Sequence, residues 1–188
     1  MSGVQPIKNR RDISRMKKVL HGRDLLLFIV GINTALRISD ILRLTVGDVR
    51  GRSHITLREG KTGKAKRFKI NAAVKRAAKE LIPADAPADQ PLLPSRRSGP
   101  NGRPRPISRV QAYRILKAAA SRAGLDRRGI VVGTHTLRKT FAYHAYKSGA
   151  ADLPTLMRIL NHASQRETLR YIGIEQETID DVYVDVCL

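Results

Sequence analysis

The chain has 188 residues, no tryptophan, a single cysteine, and 36 Lys and Arg against 16 Asp and Glu, a formal charge of +20. Its length suits one domain with a core of Leu, Ile, Val and Ala. Cys187 on its own excludes an internal disulfide or a cysteine metal cluster.

Residues 1–20 are polar and basic with no apolar h-region, so no secretory signal is visible. The longest apolar run, Leu25–Ile32, is too short to span a bilayer. A field this positive attracts polyanions, with nucleic acid the leading partner class. A basic RNA-binding or ribosomal protein fits the composition as a DNA-binding one does. The charge is uneven. Residues 172–188 carry five acids (Glu175, Glu177, Asp180, Asp181 and Asp185) and no Lys or Arg, leaving +25 on the other 171 residues.

Residues 1–11 read as a basic, loosely ordered arm. Ile13, Met16, Val19 and Leu20 have helical spacing, and 23–35 reads as a helix buried on most sides. A further helix is expected over 38–44, with Ser39 or Asp40 capping its start. The period then changes to two. His54-Ile55-Thr56-Leu57-Arg58 and Arg67-Phe68-Lys69-Ile70 alternate around Glu59-Gly60-Lys61-Thr62-Gly63-Lys64, which predicts a β-hairpin with a cationic tip. An Ala-rich helix over 72–82 leads into a proline-rich loop, 83–107. Arg96, Arg97, Arg103 and Arg105 lie in that loop, either as solvated linker residues or as DNA contacts.

Helices follow over 108–123, from a Thr134 cap to about Lys147, from Pro154 through Leu160, and over 168–171. In the tail, Ile179, Val182, Tyr183 and Val186 form an apolar face opposite the acids. The fold class is therefore α+β: mainly α with one small antiparallel sheet.

Breaking a DNA strand without a metal needs a nucleophile for phosphorus, cations for the non-bridging oxygens and an acid for the leaving oxygen. His135 and Arg138, spaced i, i+3 in Thr134-His135-Thr136-Leu137-Arg138-Lys139, share a face near a helix N-terminus that favours anions. Alone, the pair also fits a capping His beside a surface Arg. Arg37 stands between two apolar helices, where a guanidinium needs either a carboxylate, Asp40 or Asp48, or an anionic ligand. His162 and Tyr171 are nine residues apart across a turn, and Tyr171, between Leu169 and Ile172, also fits a core position.

The whole set is more specific than its members. Arg37 in Thr34-Ala35-Leu36-Arg37-Ile38-Ser39-Asp40, Lys61 on the hairpin, His135-x-x-Arg138, His162 and Tyr171 occur in an order that resembles the tyrosine recombinase, or phage integrase, family. There a T-x-L-R-x-S-[DE] box, a hairpin Lys, H-x-x-R, a His or Trp and the Tyr follow one another. The resemblance covers roughly residues 23–175 and implies that family's catalytic-domain fold. It implies a site-specific recombinase acting on double-stranded DNA without a cofactor or metal. Tyr171 would attack the phosphate and form a 3′-phosphotyrosyl link, with Arg37 and Arg138 clamping the non-bridging oxygens. Lys61 would be the general acid, His135 would handle the tyrosine proton, and His162 would hydrogen-bond the phosphate. Lys64, Lys139 and the loop arginines would contact DNA.

Lys139 stands where many relatives have a second His, and Asn161 where Gly is common. Lys64 shares the hairpin with Lys61, and Lys61 is preferred for its place in Gly60-Lys61-Thr62-Gly63. Most relatives also carry an N-terminal helical domain, for which Arg37 comes too early. The expectation is either a naturally short recombinase or a catalytic-domain fragment. Its parts would be a basic arm (1–11), a DNA breaking-rejoining domain (12–174) and an acidic tail (175–188). The tail docks on a neighbour or in cis; in trans it would support a tetramer on DNA, with accessory DNA-bending proteins as further partners. A cytoplasmic, nucleoid-associated location is expected, with no membrane partner. A type IB topoisomerase-like enzyme and a non-catalytic DNA-binding regulator of the same fold are the alternatives.

Overall fold

A computed structural model describes residues 3–173 and Val184. Helices α1 (Arg10–Val19) and α2 (Gly22–Thr34) lead to two short ones, α3 (Ile38–Ile41) and α4 (Val46–Val49). Strands β1 (His54–Arg58) and β2 (Ala65–Lys69) then pair antiparallel, with Ile55 opposite Phe68 and Arg58 opposite Ala65. Helices α5 (Ala72–Leu81), α6 (Arg109–Arg122), α7 (Thr134–Lys147), α8 (Leu153–Leu160) and α9 (Gln165–Ile172) complete the order. The described residues are thus mainly helical with one two-stranded sheet. No helix among them is long and apolar enough to cross a membrane.

Helix α2 is central and packs on α5 and α7. Leu26, Leu27, Phe28 and Val30 are buried along it, and Gly31 lets α7 approach so closely that a Cβ there would lie 2.9 Å from Leu137 Cβ. The helix ends where Ala35 turns left-handed at φ 54°, a conformation that L side chains other than Asn and Asp rarely adopt. Two apolar clusters result. The larger gathers α1 to α6 with Leu137 of α7, while the smaller gathers Ala35, Ala142, Leu156, Leu160 and Ile172, with Tyr171 packed against it.

Several local expectations are corrected. The segment before α1 is docked: Ile7 is fully buried, its N–H donates to Thr140 Oγ1, and Gln5 N–H donates to Val131 O. The helix expected over 38–44 ends at Ile41, and neither Ser39 nor Asp40 caps it. Arg37 is the cap residue, and Asp40 instead accepts the Gly60 N–H at 2.9 Å from the hairpin. Thr134 is the first residue of α7 rather than its cap, and Thr136 Oγ1 accepts the Gly133 N–H. The loop 94–107 is itself a folded excursion, closed by a Pro94–Pro106 bridge and by Ser95 N–H to Arg105 O. The tail 175–188, Val184 apart, lies outside the described residues.

Candidate active site

The reversal after α2 and the start of α7 face the hairpin. Arg37, Lys61, Arg109, His135 and Arg138 line a cleft of about 510 Å³ between them. Lys61 is held at this wall by the turn Glu59–Lys64, closed by Glu59 N–H to Lys64 O and Gly63 N–H to Glu59 O. Lys64, on the same turn, is exposed and does not line the cleft.

The partner of Arg37 is neither Asp40 nor Asp48. Asp48 is taken by its own helix start, where it accepts from Thr45 N–H and Oγ1. Arg37 Nη1 donates instead to Glu59 Oε2 at 2.9 Å. Glu59 was not singled out in the sequence, where it reads as a hairpin-turn residue. Its side chain is fully enclosed, and the same oxygen accepts from Thr62 Oγ1 at 2.8 Å and Asn161 Nδ2 at 2.6 Å. Lys66 Nζ lies 3.5 Å from its Oε1. Burial opposes the charge on Glu59, but the bonds from Thr62 and Arg37 and the charge of Lys66 outweigh it and bring the carboxyl to about 2.

Arg138 is buried on α7 and bridges two chain ends, donating to Ala35 O at 2.7 Å and Leu160 O at 2.5 Å. Lys66 Nζ donates to Ile159 O at 2.8 Å. Two cations thus meet carbonyls at the C-terminal end of α8, the end that the helix dipole makes negative. The helix closes at Asn161, in the left-handed conformation at φ 51°. That backbone explains why Gly suits the position and why Asn serves. The Asn161 amide adds the bond to Glu59 that Gly lacks.

His162 follows. Its Nδ1 meets Thr168 Oγ1 at 3.1 Å, and Thr168 Oγ1 donates its own proton to Ser164 O. The imidazole Nδ1 is therefore the donor while the ring is neutral, and Nε2 lies 3.9 Å from Glu167 Oε1, an ion pair once the ring is protonated. Burial pushes the His162 pKa below its usual 6.5, with Glu167 opposing and Arg138 and Arg37 assisting. His135 is lowered too, first by burial and then by Arg138 and Lys139.

Tyr171 stands edge-on to His162, ring centroids 5.0 Å apart, with Lys139 Nζ 5.0 Å from its own centroid on the ring face. Its Oη is buried and makes no well-formed hydrogen bond among the described residues. Burial raises the phenol pKa, and the charges of Arg138 and Arg37, with a loose side-chain hydrogen bond from Arg138, pull it back. A buried hydroxyl so poorly paired, near two guanidiniums, costs stability and suits a nucleophile. Neither Tyr171 nor His162 lines the cleft.

The loop arginines are placed apart from this centre. Arg96, Arg97 and Arg105 line a second cleft, of about 610 Å³, with Arg23 and Arg114. Arg103 is exposed at the loop's outer end. The start of α6 joins the two clefts: Arg109 lines the first, and Ser108 and Gln111 the second.

The sequence matches the profile of the phage integrase family over residues 9–177. It is 44% identical over 183 residues to the probable integrase/recombinase YoeC of Bacillus subtilis, spanning 96% of this chain and 95% of that protein. It is 30% identical over 166 residues to the tyrosine recombinase XerD of Corynebacterium glutamicum, of which it spans about half, 51%. The fold is similar to the XerA recombinase (TM-score 0.70, 21% identity, covering 97% of this chain and 65% of that one). It is also similar to the catalytic domain of bacteriophage HP1 integrase (TM-score 0.58, 24% identity, covering 91% and 88%). With a profile match across nearly the whole chain and a relative this similar along 95% of its length, the chain belongs to the phage integrase family of tyrosine recombinases.

Proposed function

We propose that the recombinase chemistry of this chain is carried by Arg37, Lys61, His135, Arg138, His162 and Tyr171, acting on double-stranded DNA. The observation that carries this reading is the cleft itself. Three guanidiniums, one lysine and one histidine converge on a space large enough for a phosphate, and Tyr171 lies close enough to feel the charges of Arg37 and Arg138.

In the first step Tyr171 Oη attacks phosphorus and the P–O5′ bond breaks, leaving a 3′-phosphotyrosyl link and a 5′-hydroxyl. The phenol proton passes to His135, whose lowered pKa keeps it neutral and receptive near pH 7. Lys61 gives a proton to the departing 5′-oxygen. Arg37 and Arg138 hold the non-bridging oxygens, where planar forks match a phosphate, and His162 donates to one of them once protonated. Attack by a 5′-hydroxyl on the link reverses every transfer, so the diester bond is conserved and no cofactor is consumed.

The basic face joining the two clefts supports a DNA path from the centre along α6 to Arg23, Arg96, Arg97, Arg105 and Arg114. Lys64 and Arg103, both exposed, extend it, and Lys139 acts instead at the Tyr171 ring. The similar fold of a XerH recombinase bound to its difH substrate (TM-score 0.66, 19% identity, covering 97% of this chain and 54% of that one) fits the same partner. The acidic tail with its apolar face is proposed to dock on a second copy of the chain. A groove between α1, α2, α7 and α8, lined by Ile13, Ile32 and Phe141 together with Arg10 and Lys17, has the matching chemistry. A cytoplasmic, DNA-associated location follows from the substrate.

The test is covalent trapping on a nicked duplex carrying a candidate recombination site. Wild type should form a protein–DNA adduct stable to denaturation, and Tyr171→Phe should form none. An adduct that persists in Tyr171→Phe would remove Tyr171 from its role.

A further inference from the structure

Glu59 is a fully enclosed carboxylate to which the chemistry above gives no task. Enclosing a charge is unfavourable unless its partners are well placed, and a single cation would neutralise it. Four donors converge on it instead, from four parts of the site. Arg37 Nη1 comes from the start of α3, Thr62 Oγ1 from the residue after Lys61, Asn161 Nδ2 from the residue before His162, and Lys66 Nζ from β2. Lys66 in turn reaches Ile159 O, so one carboxylate ties the end of α8 to the hairpin.

The guanidinium adds direction. It is a rigid planar fork, so fixing one Nη fixes where the remaining N–H groups point. Arg37 gives Nη1 to Glu59 and also lines the cleft. We infer that Glu59 is a positioning residue, aiming Arg37 at the scissile phosphate and holding the Lys61 turn and His162 in register with it. The inference rests on the reading of the cleft as a phosphoryl-transfer centre, and nothing in that reading requires a carboxylate here.

Single-turnover cleavage of a nicked suicide duplex, at saturating DNA, tests it. Glu59→Gln keeps the side-chain shape and removes the charge. A merely structural role would lower the thermal midpoint and the fraction of chains able to react, leaving the rate constant of the folded ones intact. A positioning role lowers the rate constant itself by roughly 10²-fold, the effect of about an ångström of misplacement, with adduct amplitude and DNA affinity near wild type. An unchanged rate constant, or a loss confined to amplitude, overturns the inference. Should Glu59→Gln not fold, Thr62→Ala and Asn161→Ala each remove one donor and are expected to slow the rate constant about tenfold; wild-type rates in both overturn it as well. If wild type yields no adduct while binding DNA, the functional reading itself falls. If wild type reacts and the variants match it, only the role of Glu59 falls.

Discussion

Tyr171 carries two opposed demands on one oxygen. Its hydroxyl is buried without a well-formed hydrogen bond among the described residues, which disfavours folding, and that same loose pairing would leave it unencumbered for attack. Tyr171→Phe should therefore abolish the adduct yet raise stability by about 1 kcal/mol, read from chemical denaturation. Equal or lower stability would mean that the hydroxyl has a partner in solution. The histidines give a second expectation at this scale. His135 and His162 both have pKa values lowered in the folded chain, so the unfolded chain binds their protons more readily. Their contribution is complete above the ordinary value of 6.5 and is lost as pH falls through the lowered values. The thermal midpoint should drop from pH 7.5 to 5.5, and the drop should shrink in His135→Gln. Bound DNA should counter it, because a phosphate favours the imidazolium.

At the scale of elements, the contact between α2 and α7 sets where His135 and Arg138 stand. Gly31 and Leu137 leave no room for a methyl group, so Gly31→Ala should destabilise by about 1–3 kcal/mol and slow cleavage without touching a catalytic residue. Denaturation midpoints and adduct rates on the same preparation check both, and a neutral substitution would mean the helices can separate freely. The elements were largely legible in the sequence. The hairpin, α2, α5 and α6 appear where period-two and helical spacing place them. The order Arg37, Lys61, His135, Arg138, His162, Tyr171 pointed to the family that the profile match shows. Partner choice was not legible. Asp40 was the natural mate for Arg37 by separation along the chain, but the reversal at Ala35 presents Arg37 to the hairpin, and Asp40 is used by the Gly60 N–H. Glu59 could not be singled out, because a turn glutamate looks solvated until α8 closes over it through Asn161. Nor could the docked segment before α1, since Val4, Pro6 and Ile7 are too few and too closely spaced among polar neighbours to mark a buried element.

At the scale of the whole molecule, a charge of +20 on 188 residues and two adjoining arginine-lined clefts would make DNA binding a matter of phosphate contacts. Affinity for duplex DNA should fall about 10³-fold or more between ~50 and ~200 mM salt, measured by titration at several salt concentrations. A flat dependence would contradict that. The division of the interior into two apolar clusters bears on motion. Arg37 and Lys61 are borne by elements of the larger cluster, whereas Tyr171 packs on the smaller one, built mainly from α7, α8 and α9. A small core separated from a large one can open on its own at a fraction of the free energy of global unfolding. Amide protons of α8 and α9 should then exchange with solvent sooner than those of α2, so that Tyr171 would ride on the part of the molecule most easily released while Arg37 and Lys61 stay in place.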